Sequence, residues 1–313
     1  MITPQTKPQK LAKTLGLAVP LYFKREDLHP LGSHKGRSLP IMIDTYVKQG
    51  QVNFVISSSG NAALATGLYI KKYNQKHKNK LSLQIFVGEK IDKNKLGLLK
   101  KVMSKNITIT QTKNPKQSAF QMDKSGQAKI LRQSTDDLAL LGYEQLALEL
   151  SKIKNLSAVF IPTSSGTTAQ GLYNGFKKLK LTPQIHIVQT TACHPITDAL
   201  SLSSSCLSSS RMRGSINNSQ IPAFAGMTKI SLAGAIVDNV AHRKEMVVAD
   251  IKSSRGFGWV ADDTQIKDII KLVYKTEKIK LSSNSALSIV GLQQATKQNW
   301  KFTGPIVCLI TGE

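Results

Sequence analysis

Cysteine is scarce in this chain of 313 residues: the three present, Cys193, Cys206 and Cys308, are scattered along it. An odd number of scattered cysteines predicts neither a disulfide framework nor a zinc site, because both need closely spaced pairs. We therefore expect ordinary thiols and no metal ion.

Long apolar runs are also missing, since no segment reaches the roughly 18 residues of a membrane helix. The N-terminal stretch MITPQTKPQKLAK lacks the apolar core of a secretory signal. The sequence thus predicts a cytoplasmic protein without membrane contact.

Acidic residues are few: 19 Asp and Glu against 43 Lys and Arg give a net charge of +24. Such a surface can attract nucleic acid, anionic membranes or phosphorylated substrates. However, lysine outnumbers arginine, aromatic residues make up only 6% of the chain, and no nucleic-acid-binding motif occurs. The most basic segment, 71–116, is therefore interpreted as a solvated face, with a polyanion-binding patch as the alternative. We expect no specific nucleic-acid partner.

The hydrophobic pattern is typical of an α/β protein, in which short apolar runs alternate with longer amphipathic segments. The predicted strands are 52–58, 82–88, 158–163, 184–190 and 305–311, and helical periodicity is clearest over 63–73, 137–152 and 264–278. This alternation predicts parallel sheets covered by helices, with ligands at the carboxyl ends of the strands. The serine-rich segment 201–229 breaks the pattern, and we expect a disordered insertion without function there.

The segment LYFKREDLHPLGSHKGR (21–37) combines a strand-like start, a turn containing Pro and Gly, and a lysine, Lys35, where a helix is expected to begin. A lysine held and partly desolvated in such a place becomes nucleophilic enough to form an imine with a carbonyl cofactor. Taken alone the signal is weak, because most lysines of this chain must lie on the surface.

Two polar turns follow predicted strands and precede predicted helices. Hydroxyls, an amide and backbone N–H groups at a helix N-terminus suit a carboxylate or a phosphate, although the same residues also serve as plain helix caps. The second turn lacks the terminal Gly-Lys-Ser/Thr of a P-loop and the GxGxxG of a dinucleotide site, which indicates a phosphorylated cofactor other than a nucleotide. The first turn contains Ser58, Ser59, Gly60 and Asn61, and the second contains Ser164, Ser165, Gly166, Thr167 and Thr168.

The last predicted strand ends in Thr311. Its hydroxyl is placed to face a ring nitrogen in a crevice, or it simply terminates the strand. Together, KRED, GSHKGR, SSGN, the small-residue phosphate turn and the final Thr-Gly resemble the tryptophan-synthase-β superfamily of pyridoxal 5'-phosphate (PLP) enzymes, also called fold type II. The resemblance covers nearly the whole chain apart from 201–229.

This resemblance implies two three-layer α/β/α domains with mostly parallel sheets and PLP in the crevice between them. The large domain would comprise 1–37 and 142–313, and the small domain 38–141. It further implies that Lys35 forms the Schiff base with PLP and moves the Cα proton. Asn61 would contact the phenolic oxygen, Ser58, Ser59, Gly60 and Asn61 would hold the substrate, Ser164 to Thr168 the phosphate, and Thr311 the pyridine nitrogen.

The implied activity is a PLP-dependent lyase acting at Cβ or Cγ of a small amino-acid substrate, most similar to threonine synthase. A serine or threonine dehydratase, a cysteine-synthase-like enzyme and a degenerate non-catalytic relative are the alternatives. Relatives are often homodimers. Two residues depart from the usual pattern: Gly36 replaces a common aspartate, and His34 replaces a common aromatic residue and is either a turn residue or a cofactor contact.

Overall fold

The computed structural model describes residues 2–205 and 230–312, and ten strands and eleven α-helices lie within these ranges. The strands are β1 (Gln5–Thr6), β2 (Leu21–Arg25), β3 (Asn53–Ser57), β4 (Ser82–Gly88), β5 (Ile107–Thr112), β6 (Lys129–Ile130), β7 (Ala158–Pro162), β8 (Gln184–Thr190), β9 (Gly258–Ala261) and β10 (Ile306–Ile310). The α-helices are α1 (Gln9–Thr14), α2 (Leu39–Lys48), α3 (Asn61–Lys76), α4 (Lys93–Lys100), α5 (Pro115–Lys124), α6 (Leu138–Leu150), α7 (Thr167–Lys178), α8 (Pro195–Ser205), α9 (Lys244–Ser253), α10 (Asp263–Glu277) and α11 (Ser283–Lys297).

The larger sheet has six strands in the order β1-β2-β10-β7-β8-β9 and is parallel except for β1. Its central strands are apolar on both faces because helices cover both sides. Along β7, Ala158 and Phe160 face the core beneath α10 and α11, whereas Val159 and Ile161 face the core beneath α6, α7 and α9. The sheet therefore forms the middle of three layers.

The smaller sheet has four parallel strands in the order β5-β4-β3-β6. Alternate residues of β4, Leu83, Ile85 and Val87, are buried in a core shared with α2, α3 and α4. On the opposite face Val55 packs with Ala119 of α5. The smaller sheet is built from residues 53–130, and the larger sheet from 5–25 and 158–310. The chain therefore begins in the larger sheet, forms the smaller one and then returns to the larger one.

The prediction of a mixed α/β fold with mostly parallel sheets is confirmed, and all eight predicted strands and helices are present with ends shifted by a few residues. The domain boundaries at 37/38 and 141/142 stay a prediction. The prediction of disorder over 201–229 is wrong for residues 201–205, which are the end of α8, whereas the insertion itself stays a prediction. Residues 206–229, including Cys206, lie outside the described part of the chain.

Two buried thiols, Cys193 and Cys308, are free. In residues 2–205 and 230–312, no helix is long and apolar enough to cross a membrane. Within the same ranges, no group of three or more His, Cys, Asp and Glu side chains is arranged to hold a metal ion.

Candidate active site

Lys35 lies in a short 3-10 turn, His34–Arg37, which precedes α2. The expected helix start is thus a tighter turn, since α2 itself begins at Leu39. The side chain of Ser33 caps this turn by accepting a hydrogen bond from the Lys35 N–H at 3.3 Å. Lys35 is half-buried. The turn therefore holds the lysine at the edge of the protein interior.

Gly36 leaves no room for the aspartate that is common at this position in the resembled family. A Cβ built on Gly36 would lie 2.3 Å from the ring of His29 and 2.8 Å from Cβ of Leu31. The His29 ring is buried, and its Nδ1 accepts a hydrogen bond from the Leu31 N–H at 3.1 Å. The ring of His29 therefore fills the space that an aspartate side chain at position 36 would need.

A buried ionic cluster anchors the Lys35 turn to the rest of the large sheet. The guanidinium of Arg37 donates to both carboxylate oxygens of Glu26, at 2.9 and 2.7 Å, and to both oxygens of Glu149 on α6. Lys24 Nζ donates to Glu149 at 2.5 Å and to the Thr3 carbonyl at 2.7 Å. Two cations thus face two carboxylates, and the cluster is neutral overall. Lys24 and Glu26 of the KRED motif therefore serve to fix the turn, whereas Arg25 and Asp27 pair with each other.

The charges of this cluster depend on one another. Burial raises the pKa of Glu149, but the hydrogen bonds from Arg37 and Lys24 outweigh it and hold that pKa below its usual value. Burial lowers the pKa of Lys24, although Glu149 opposes the shift. Each buried charge is tolerated because its partner is present.

Thr311 follows β10 and lies beside the Lys35 turn. Its carbonyl oxygen accepts two hydrogen bonds from His34, one from the backbone N–H at 3.2 Å and one from ring Nδ1 at 2.9 Å. The Thr311 residue is 3% exposed. The structure therefore brings together two predicted site residues that are far apart in sequence, and His34 is the contact between them.

The predicted phosphate turn joins β7 to α7. Gly166 has a φ of +87°, in the left-handed region, and a Cβ there would lie 2.6 Å from Val247, so glycine is required on both grounds. The hydroxyls of Ser165 and Thr167 are 2.9 Å apart. Thr167 and Thr168 begin α7, where unpaired backbone N–H groups and the helix dipole favour an anion. This turn has the donors that a phosphate needs.

The hydroxyl of Ser164 is already used within the fold. Its Oγ accepts hydrogen bonds from the backbone N–H groups of Val237 and Asp238, both at 3.2 Å. The side chain thus ties the phosphate turn to the segment before α9. Both bonds use lone pairs of Oγ, so the Ser164 O–H, like the backbone N–H, could still donate to a phosphate.

A chain of hydrogen bonds links the phosphate turn to the Lys35 turn. The hydroxyl of Thr167 donates to the Gln133 carbonyl at 3.2 Å, the Gln133 side chain donates to Ser38 Oγ, and Ser38 Oγ donates to the Lys35 carbonyl at 3.4 Å. Gln133 and Ser38 belong to no motif, so sequence reasoning missed both. Their only signal is that they are polar and buried.

The turn 58–61 joins β3 of the smaller sheet to α3. Gly60 N–H donates to Ser58 Oγ at 3.3 Å, and Asn61 is the first residue of the helix. Leu64, in the first turn of α3, lies against Gly32: a Cβ on Gly32 would be 3.3 Å from Leu64 Cδ2. The predicted substrate turn therefore approaches the Lys35 turn from the opposite sheet.

The residues at this meeting point fit PLP by the chemistry of their donors. They offer the amine of a half-buried lysine, an anion-binding turn and the hydroxyl of the buried Thr311. Two buried hydroxyls, those of Tyr143 and Thr190, have no hydrogen-bond partner among the described residues. Tyr143 is close to His34, with ring centroids 6.2 Å apart, and Thr190 is the last residue of β8. Such unsatisfied groups are typical of a ligand site.

Comparison with known proteins gives independent information. A family model described as pyridoxal-phosphate dependent enzyme matches residues 2–312. The chain is 25% identical to a threonine synthase from Methanocaldococcus jannaschii and 22% identical to one from Methanosarcina acetivorans, and each alignment covers 99% of this chain and 74% of the relative.

Solved structures resemble the whole chain. Processed threonine deaminase isoform 2 from Solanum lycopersicum has a TM-score of 0.78 at 20% identity, covering 99% of this chain and 78% of that one. Maize serine racemase has a TM-score of 0.76 at 16% identity, covering 99% and 87%. At these identities the likeness establishes the fold alone.

Proposed function

Because the chain belongs to the family of pyridoxal-phosphate dependent enzymes, we propose that it uses this cofactor to eliminate or replace a group at Cβ or Cγ of a small amino acid. The supporting observation is the meeting of the Lys35 turn, Thr311 and the 163–168 turn through direct hydrogen bonds of His34, Ser38 and Gln133. No other part of the described chain combines an amine, an anion-binding turn and a buried hydroxyl in this way.

When bound, PLP supplies an electron sink that stabilises negative charge at the substrate Cα. In our proposal Lys35 Nζ would hold the cofactor, and the amine of Lys35 would remove the substrate Cα proton as a general base. The turn at Ser58, Ser59 and Gly60 holds the substrate carboxylate, and Asn61 orients the ring. The hydroxyl of Thr311 carries no charge, which favours elimination over transamination.

We further propose a threonine-synthase-like reaction, in which a phosphorylated four-carbon amino acid takes up water and releases phosphate. The relatives named threonine synthase support this choice. Two cationic side chains that reach from one sheet's segment to the other's support it as well. Arg132, just after β6, donates to His242 Nε2 at 2.8 Å, and Lys95 Nζ would lie 3.8 Å from a Cβ on Gly234. Both contacts join the segment of the small sheet to that of the large one, and the positive charge of these side chains would attract an anionic substrate.

The first experiment locates the cofactor. Purified protein saturated with PLP is reduced with borohydride, digested and analysed by mass spectrometry. We expect the cofactor mass on Lys35, and none in Lys35→Ala, whose turnover should fall at least about 10²-fold because it lacks the base. Lys48→Ala, an exposed lysine on α2, is the matched control and should label as wild type does. Labelling at another lysine, or none, would contradict the proposal.

The second experiment selects the substrate. Phosphohomoserine, threonine, serine and O-acetylserine are assayed side by side with the loaded enzyme, following phosphate, ammonia and acetate. The largest kcat/KM with release of phosphate from phosphohomoserine supports the threonine-synthase-like reaction. Ammonia from threonine or serine would replace it with a dehydratase, and acetate released from O-acetylserine without ammonia, in the presence of added sulfide, with a β-replacement enzyme. A labelled enzyme that turns over none of the four contradicts the proposed activity.

A further inference from the structure

The contact between His34 and the end of β10 is unusually specific. One carbonyl oxygen, that of Thr311, accepts both the backbone N–H and the ring Nδ1 of His34, at 3.2 and 2.9 Å. A carbonyl can only accept, so Nδ1 carries the proton. Burial, together with the charge of Lys35, lowers the pKa of His34 to about 3, so the ring is neutral near pH 7 and Nε2 has a free lone pair.

The next residue is held from the other side. The carbonyl of Gly312 accepts hydrogen bonds from the hydroxyls of Ser282 at 2.6 Å and Ser285 at 3.2 Å, and the Gly312 N–H donates to Ser285 Oγ at 3.2 Å. Ser282 caps α11, and Ser285 lies in its first turn. The peptide group between Thr311 and Gly312 and the carbonyl of Gly312 are thus both fixed by side chains.

The backbone of Gly312 leaves no slack in this arrangement. Its φ is +99°, which favours glycine, and a Cβ would lie 2.8 Å from Cβ of Ser33 and 3.0 Å from the Gly32 carbonyl. The segment 311–312 is therefore packed tightly against the residues that precede Lys35. Movement of Thr311 relative to the lysine turn would break several of these contacts at once.

We propose that His34, Ser282 and Ser285 form a clamp whose role is to hold the Thr311 hydroxyl at a fixed position relative to Lys35, so that His34 acts on the cofactor through Thr311 and not by touching it. This assignment rests on the proposed function, because it presumes that Thr311 faces the cofactor ring. His34, Ser282 and Ser285 are therefore positioning residues. In this assignment His34 is neither a mere turn residue nor a direct cofactor contact, the two alternatives that the sequence left open.

The test measures the dissociation constant of PLP by titrating apoenzyme and following the visible band of the bound cofactor. His34→Phe keeps a ring and removes the donor, so we expect about tenfold weaker binding, the usual effect of one lost hydrogen bond. His34→Asn offers an amide N–H close to the position of Nδ1 and should bind within about threefold of wild type. His77→Phe, an exposed ring at the end of α3, is the matched control and should change nothing.

A double-mutant cycle with Thr311→Val distinguishes the clamp from a direct contact. If His34 acts through Thr311, the removal of its donor has no further effect once the hydroxyl is gone. His34→Phe/Thr311→Val should then bind PLP about tenfold more weakly than wild type, as each single variant does. Independent contacts would multiply to about a hundredfold, and that outcome overturns the proposal, as would unchanged affinity in His34→Phe.

Ser285→Ala tests the other side of the clamp and keeps the inference falsifiable if His34→Phe does not fold. It should weaken PLP binding several-fold, with the same lack of additivity towards Thr311→Val, while the melting temperature of the apoenzyme is measured for every variant. A merely structural role would lower the melting temperature and leave the coupling at zero. Wild-type enzyme without a borohydride-reducible link to Lys35 would overturn both the clamp and the proposed function, whereas a normal link with additive variants overturns the clamp alone.

Discussion

Arg37→Met should be among the most damaging single changes in this protein. The guanidinium makes at least five hydrogen bonds, to four carboxylate oxygens and the Thr3 hydroxyl, and its side chain is 3% exposed. Without it, Lys24 alone faces Glu26 and Glu149, so the buried cluster carries a net charge of −1. Removing one partner of a buried ionic group costs about 3–5 kcal/mol.

The contribution of this cluster to the free energy of unfolding should depend on pH in opposite directions in wild type and in Arg37→Met. In wild type the pKa of Glu149 is lowered in the folded state. The stability that this carboxylate contributes is therefore present at neutral pH, and it is lost as the pH falls from the usual pKa of a glutamate through the lowered one. In Arg37→Met, Glu149 loses the largest of the interactions that oppose the effect of burial on its pKa, so proton uptake should relieve the penalty as the pH falls. The deficit relative to wild type should therefore shrink from pH 7 to pH 5, by at most about 1.4 kcal/mol per pH unit for one proton.

Urea unfolding of the apoenzymes, followed by the fluorescence of the two tryptophans, gives the free energy of unfolding at both pH values. Lys178→Met is the control, because it breaks the exposed pair with Glu144 and should cost less than about 1 kcal/mol. Adding Glu26→Gln to Arg37→Met restores neutrality and should recover part of the loss. A deficit below about 1 kcal/mol, or one that does not shrink at pH 5, refutes the reasoning.

Two further predictions concern stability. His186 is fully buried, and its Nδ1 accepts from Trp259 while Nε2 faces an amide oxygen, so burial lowers its pKa to about 3. Protonation therefore favours the unfolded chain: the contribution of His186 to stability is complete above about pH 6.5 and falls by about 2 kcal/mol at pH 5, so the total loss of stability between these pH values should be smaller by that amount in His186→Phe. Gly36→Ala should cost about 2–4 kcal/mol through overpacking against His29, and His29→Ala in the same chain should restore part of it in a thermal melt. Gly97→Ala, in an open helical position, should not destabilise; if Gly36→Ala matches it, the clash is not real.

The strands and turns could be predicted because their signals are local. In β7 the run AVFIP is apolar at every position, as burial on two faces requires, and the turn after it is made of small polar residues. The short strands β1 and β6 could not be recognised, since two residues carry no periodicity. Ligands bind at the carboxyl ends of parallel strands, so the sequence also indicated that the turns at Ser58 and Ser164 were candidate binding sites.

The sequence by itself determined the α/β pattern, the polar turns and the candidate lysine, since each depends on residues within a few positions of one another. Only the tertiary structure decided what holds Lys35 in place. Arg37 meets Glu149 across 112 residues, and His34 meets Thr311 across 277. Likewise, the ring that fills the space beside Gly36 belongs to His29, and the hydroxyl of Ser164 turned out to face a segment 73 residues away. The physical reason is that a buried polar group must find a partner, but which partner reaches it is set by how the helices and sheets pack, and no local pattern encodes that choice.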